Sequence, residues 1–192
     1  MIAVIKYNAG NIRSVENALL RLGYRCIITD NREEILKAEK VIFPGVGEAG
    51  SAMKYLKERG LDEVIKSLTR PVLGICLGLQ LMCRHSQEGD TECLNIFNSD
   101  VWLFPQTDKV PHMGWNNFLS LEGELFNGVS KKDDVYYVHS YYADISSCTI
   151  AACEYILPFT AAMKKDNFHA TQFHPEKSAV VGERILKNFL EL

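Results

Sequence analysis

The chain has 192 residues, 47% hydrophobic and 23% charged, with a formal net charge of −3 at neutral pH. That length supplies one sizeable core and argues against two independent domains, and the weak negative charge offers nothing to nucleic acid or an anionic membrane. No apolar run approaches the ~18 residues of a membrane span, and the opening MIAVIKYN lacks the basic flank and cleavage site of a leader, so a cytoplasmic protein is expected.

MIAVIK reads as a strand, after which Ile12, Val15, Leu19 and Leu22 recur at helical spacing until Gly23. YRCIIT is a second strand, followed by a helical segment from about Arg32 to Ala38. KVIF is a third strand, ending at Pro44. Met53, Leu56, Leu61, Val64, Ile65 and Leu68 then mark helical turns interrupted at Gly60. PVLGI is the fourth strand, and Leu77 to about His85 the next helix. Strands alternating with helices over short connections predict a parallel central sheet with helices on both faces. Further along, LNIFNSDVWLF, KVPHMGWNNFL, DVYYVHSYYAD, TIAACEYI and FTAAMKKDNFHATQF are strand-like runs, with KKDN a hairpin turn, and a last helix starts near Ala179. The expected fold is a single α/β domain over 1–192, a parallel core plus an antiparallel extension.

Six cysteines are present, Cys26, Cys76, Cys83, Cys93, Cys148 and Cys153. None forms a CxxC pair and no histidine pair at ligand spacing completes a zinc set, so no metal is expected and five read as reduced, buried thiols. Cys76 is different. Gly74-Ile75-Cys76-Leu77-Gly78 stands where a strand becomes a helix, in the layout of a nucleophile elbow. A Cβ on either glycine would crowd so tight a turn. The turn lifts the thiol above the carboxyl ends of the strands, where open α/β sheets bind ligands, and sets it at a helix N-terminus that favours thiolate. The Leu77 N–H is then placed to donate to an oxyanion. Five-residue patterns also match by accident, and a buried structural cysteine is the alternative unless a base is present.

FHATQFHPEKS provides one. Gln172 and His174 alternate onto one face of a strand, and Glu176 follows across Pro175. A carboxylate this near an imidazole fixes its tautomer and stabilises its charged form. The remaining histidines have structural explanations. His85 would end a helix, His169 faces the other side of its strand, and His112 and His139 sit at polar or aromatic strand ends.

Gly45-x-Gly47-x-x-Gly50, between the third strand and the following helix, also fits a dinucleotide fingerprint, which makes an NAD-binding protein the alternative from another class. Against it, the fingerprint belongs after the first strand, Glu48 would repel a pyrophosphate, and Leu68 to Arg70 contain no acidic ribose ligand. The other use of Pro-Gly-Val-Gly is a flexible backbone presenting N–H groups to an oxyanion.

GICLGLQ, the PGVG loop and FHPEKS together resemble the class I, triad type of glutamine amidotransferase. YNAGNIRSVENAL, KVPHMGWN and YYVHSYY narrow the resemblance to the glutaminase subunits of imidazole glycerol phosphate synthases, over nearly the whole chain. One departure is that Lys6 and Asn8 flank Tyr7, where that family commonly has an acidic residue and a glycine. The resemblance implies a flavodoxin-like amidotransferase domain without cofactor. It implies Cys76 as nucleophile with His174 and Glu176 as base and orienter. Val46, Gly47 and Leu77 would form the oxyanion region, while Gln80, Ser140 and Tyr141 hold the ends of L-glutamine. Pro111, Met113, Trp115 and Asn116 would lie near a face that docks a (β/α)8 cyclase as a heterodimer.

Nothing in the chain could use the ammonia released, and in bulk water near neutral pH ammonia is mostly non-nucleophilic ammonium. A docked synthase with a sheltered path is therefore expected. The alternatives are a same-family glutaminase serving another synthase, such as one amidating a surface sugar, and an idle binding module.

Overall fold

The computed structural model describes residues 1–8 and 10–192. In β1 (Ile2–Ile5), Ala3 and Ile5 join one core cluster and Ile2 and Val4 the other, the period of two that a strand buried on both faces requires. α1 (Ile12–Arg21) and α6 (Ala179–Leu190) cover the Ile2 and Val4 face. α2 (Arg32–Lys37), α3 (Ala49–Glu58), α4 (Leu61–Ser67) and α5 (Leu77–Met82) cover the other. Gly60, at φ 62°, turns the chain between α3 and α4, where the sequence shows the break.

β2 (Cys26–Thr29), β1, β3 (Lys40–Gly45) and β4 (Val72–Cys76) lie side by side in that order, all parallel. The strand Phe168–Thr171 adds a fifth parallel member beside β4. Leu157–Lys165, Thr149–Tyr155 and Ser120–Leu121 then extend the sheet antiparallel to eight strands among the described residues. The parallel part has the 2-1-3-4 order of flavodoxin-like sheets. Asp166 and Asn167 form the two-residue turn between Lys165 and Phe168, Asp166 at φ 52°.

Two smaller sheets wall the carboxyl edge. His112–Asn116 pairs with Val135–His139, and Tyr141–Ala143 joins Asp100–Leu103. The run DVYYVHSYYAD is therefore two strands in two sheets, parted at Ser140.

Two local expectations need correction. α5 stops at Met82 and does not reach His85, because the chain returning at Leu94 to Phe97 takes its last carbonyls. Leu94 N–H bonds Leu81 at 2.9 Å, Ile96 and Phe97 bond Met82 at 2.9 Å, and Asn95 bonds Cys83 at 2.8 Å. His85 is consequently not a helix-end cation but part of a short strand, paired with Asp90 at 2.9 Å. LNIF, which reads as strand, is this wrapping segment. The strand near His174 likewise ends at Thr171, and His174 caps a 3-10 turn over Pro175–Lys177.

Candidate active site

Register brings the functional segments together. Gly45 pairs with Cys76 at the end of β3 and β4, and Thr171 pairs with Ile75 on the other side. In parallel strands the carboxyl ends share one edge, so the PGVG loop, the cysteine and the His174 segment emerge as neighbours. Cys76 sits at φ 54°, ψ −106°, a strained elbow for a residue with a side chain. The two glycines make the elbow possible. A Cβ on Gly78 would lie 1.9 Å from the Phe43 carbonyl oxygen, and one on Gly74 3.0 Å from the Gly78 backbone.

His174 Nδ1 lies 2.7 Å from Glu176 Oε1, both side chains fully buried. The carboxylate can only accept, so Nδ1 carries the proton and Nε2 is left for other work. Nε2 has no completed hydrogen bond. Burial opposes the imidazolium, but interaction with the Cys76 sulfur and then with Glu176 outweighs it, pushing His174 up to about 10. Cysteine, histidine and glutamate thus form one buried charge system, which a satisfied core cysteine would not need.

A cavity of about 250 Å³ opens onto Cys76. It is smaller than the ~300–1,000 Å³ of drug-sized pockets and suits a ligand of amino-acid size. Val46, Gly47, Leu77, Gln80, Ser140 and Tyr141 all line it, so the structure gathers every residue expected for the oxyanion and substrate ends. Pro111 is also a lining residue, whereas Met113 and Trp115 are 59% and 55% exposed on the adjoining strand, with Asn116 half-buried beside them.

The dinucleotide alternative loses its site. Glu48 accepts from Gly50 N–H and Ser51 N–H, both at 2.7 Å, and Glu88 from Ala49 N–H at 2.8 Å. The first amides of α3, which a pyrophosphate would need, are taken by carboxylates.

The amidotransferase class I family model, described as "Glutamine amidotransferase class-I", matches residues 3–192. The chain belongs to the class-I glutamine amidotransferase family. It is 59% identical to "Imidazole glycerol phosphate synthase subunit HisH" of Bacteroides thetaiotaomicron, across 100% of this chain and 99% of that protein. The subunit "HisH 2" of Legionella pneumophila is 47% identical over 100% and 98%. A solved structure titled as a glutamine amidotransferase superposes with a TM-score of 0.76 at 17% identity, covering 100% and 98%. A glutamine amidotransferase from Thermotoga maritima gives 0.65 at 17%, covering 99% and 82%. At those identities the two structures speak for the fold.

Three polar residues of this amidotransferase site go unassigned in the sequence. Asn11 Nδ2 donates to Glu176 Oε1 and lies 3.3 Å from His174 Nδ1. Gln172 Nε2 donates to the Cys76 sulfur at 3.6 Å, and its Oε1 accepts from Gln80 at 3.0 Å. Glu88 lines the cavity, its carboxyl raised by burial, with one oxygen held by Ala49. Gln172 leaves a signal in its two-residue spacing to His174, and Asn11 lies in the YNAGNIRSVENAL segment, which by itself assigns it no role. Asn11 and Glu88 stand in loops far from the motifs they support.

Proposed function

We propose that the chain, one domain over 1–192, is the glutaminase subunit of an imidazole glycerol phosphate synthase. It hydrolyses glutamine to glutamate and ammonia for a partner cyclase in histidine biosynthesis. The observation that carries this reading is the full-length match at 59% identity to subunits of that name. The buried Cys76, His174 and Glu176 beside a cavity of amino-acid size support it chemically.

Cys76 attacks the side-chain amide carbon of glutamine, and electrons move onto the carbonyl oxygen. N–H groups of Leu77 and of the Val46–Gly47 loop receive that oxyanion. The His174 imidazolium gives its proton to the amide nitrogen, ammonia leaves and a thioester remains. The imidazole, now neutral, takes a proton from water, whose oxygen attacks the thioester, and glutamate departs as the thiolate leaves, with the imidazolium restored. Gln80, Ser140 and Tyr141 hold the far end of the substrate, and the free oxygen of Glu88 takes its ammonium. Met113 and Trp115 mark the face for a cyclase, the acceptor of ammonia.

The test is reconstitution with the cyclase. The complex should release glutamate and make imidazole glycerol phosphate from glutamine. Cys76→Ser should abolish both while leaving synthesis from added ammonium salt. Loss of the ammonium-dependent reaction as well would show that the substitution damages more than the glutaminase.

A further inference from the structure

Two buried histidines are given no step in this chemistry, although one of them, His139, also lines the cavity. His112 and His139 are register partners across the strands His112–Asn116 and Val135–His139. His139 Nδ1 lies 2.8 Å from the Tyr141 carbonyl, which can only accept, so Nδ1 carries the proton. Its Nε2 is then an acceptor, and the 3.0 Å contact with His112 Nδ1 is a donation from His112. That leaves His112 Nε2 to accept from Asn116 Nδ2, at a longer 3.4 Å. The Asn116 amide is oriented independently, because its Oδ1 takes Asn117 N–H at 2.9 Å and its Nδ2 also donates to the Glu154 carbonyl at 3.0 Å. One arrangement satisfies every contact, with each donor directed from Asn116 through His112 and His139 to the Tyr141 carbonyl.

The surroundings enforce it. His112 stacks on Tyr137 at 4.8 Å and Tyr155 at 4.1 Å, and His139 packs on Phe104 and Phe159 at 5.3 and 5.2 Å. Burial in this aromatic box pushes His112 down to about 4 and His139 to about 3. Both rings are therefore neutral, as they must be, since a protonated Nε2 cannot accept. At the pocket end, the Tyr141 carbonyl also takes Gln80 Nε2 at 2.9 Å. At the other end, Asn116 shares its strand with the exposed Met113 and Trp115.

We propose that His112 and His139 are positioning residues, a two-histidine relay that holds the Ser140–Tyr141 wall of the glutamine pocket in register with the Asn116 strand. The proposal rests on the glutaminase reading for the identity of the ligand. Without His139 the Tyr141 carbonyl keeps Gln80 alone, and without His112 the His139 ring loses the bond that orients it; either way the wall gains freedom. A looser wall weakens contacts to substrate and transition state equally, which raises KM and leaves kcat in place. Losing one neutral hydrogen bond corresponds to roughly a 3- to 10-fold effect.

His112→Phe keeps the aromatic stack and deletes the donor. In the complex with the cyclase it should raise KM for glutamine roughly 3- to 10-fold with kcat within about twofold. His112→Asn, which returns an amide donor near the Nδ1 position, should recover most of the loss. His139→Asn keeps the donor to Tyr141 but loses the acceptor for His112, and gives a second route to the broken link. Imidazole ¹⁵N spectra of the wild-type chain at pH 7 should show both rings neutral and protonated on Nδ1. A charged ring or an Nε2–H tautomer at either position would overturn the relay. With an active wild type, an unchanged KM in whichever variant folds, or a fall in kcat alone, would overturn the positioning role. A wild-type complex that releases no glutamate would instead overturn the glutaminase reading, and the spectra would still decide the relay.

Discussion

Cys76 differs from the other thiols in its surroundings as well as its turn. Burial pushes Cys83 well above the ordinary thiol range, Cys93 to about 12 and Cys153 to about 11. A glutamine-analogue electrophile should therefore label Cys76 and spare these three, as read by peptide mass mapping; a label on Cys83 or Cys153 would contradict the assignment. Removing His174 should cost more than Glu176→Gln, because the imidazole still acts as a base from a less populated orientation, each contribution being about 10²–10⁴-fold. The raised His174 also has a thermodynamic consequence. Folded, it binds its proton up to about pH 10, against about 6.5 unfolded. The stability it contributes is fully present below about pH 6.5 and is lost as pH rises through 10. The advantage in melting temperature of wild type over His174→Asn should shrink across that window, and a constant difference would refute the charge system. Cys76, His174 and Glu176 were legible because each lies in a short local pattern. Asn11 was not, since 165 residues separate it from the Glu176 it supports and only the fold makes them neighbours.

At the scale of elements, the parallel half was readable because its runs are apolar and its breaks fall at Gly23 and Gly60. The antiparallel half was readable only as separate runs. Which strand pairs with which depends on long-range contacts, as in the split at Ser140. α5 shows the same limit, because its apolar periodicity continues past Met82 while backbone donors from Leu94 to Phe97 end it. The junction of β4 and α5 is the tightest part of the fold. Gly78→Ala would force a methyl group to within 1.9 Å of the Phe43 carbonyl oxygen, and neither backbone can yield without moving β3. Overpacking of this kind costs about 1–3 kcal/mol or more, so the variant should unfold at visibly lower denaturant concentration. An unchanged midpoint would mean that the β3–α5 contact relaxes freely. The N-terminus of α3 offers a milder case. Glu48→Ala removes an acceptor for two amides and should cost about 0.5–2 kcal/mol, measured the same way.

For the whole molecule, the question is how a glutaminase avoids consuming glutamine when no acceptor is present. Among the described residues, no helix is long and apolar enough to cross a membrane, and no cluster of side chains could hold a metal ion. Just past the end of β3, the Val46–Gly47 segment is placed to act as a gate. Gly47 sits at φ 137°, a conformation that favours glycine, and a Cβ there would meet no atom within 4 Å, so Gly47 itself has room to turn, whereas Gly45 is packed against Tyr7 and Leu77. On its other side, the Val46 carbonyl accepts the Gly10 N–H at 3.2 Å, which ties the loop to the segment before α1. Rotating the Val46 peptide to aim an N–H at the oxyanion must break that long bond. A docked partner would shift the loop by replacing that bond. A missing oxyanion donor costs about 10²–10³-fold in rate, so the isolated chain should hydrolyse glutamine slowly, and the complex with the cyclase and its nucleotide ligand should be faster by a factor of that order. Glutamate release measured for the chain alone, for the complex and for the liganded complex tests this. Stimulation confined to the liganded complex is the expected result. Full activity of the chain alone would mean that the loop already holds its catalytic form and that the gate does not exist.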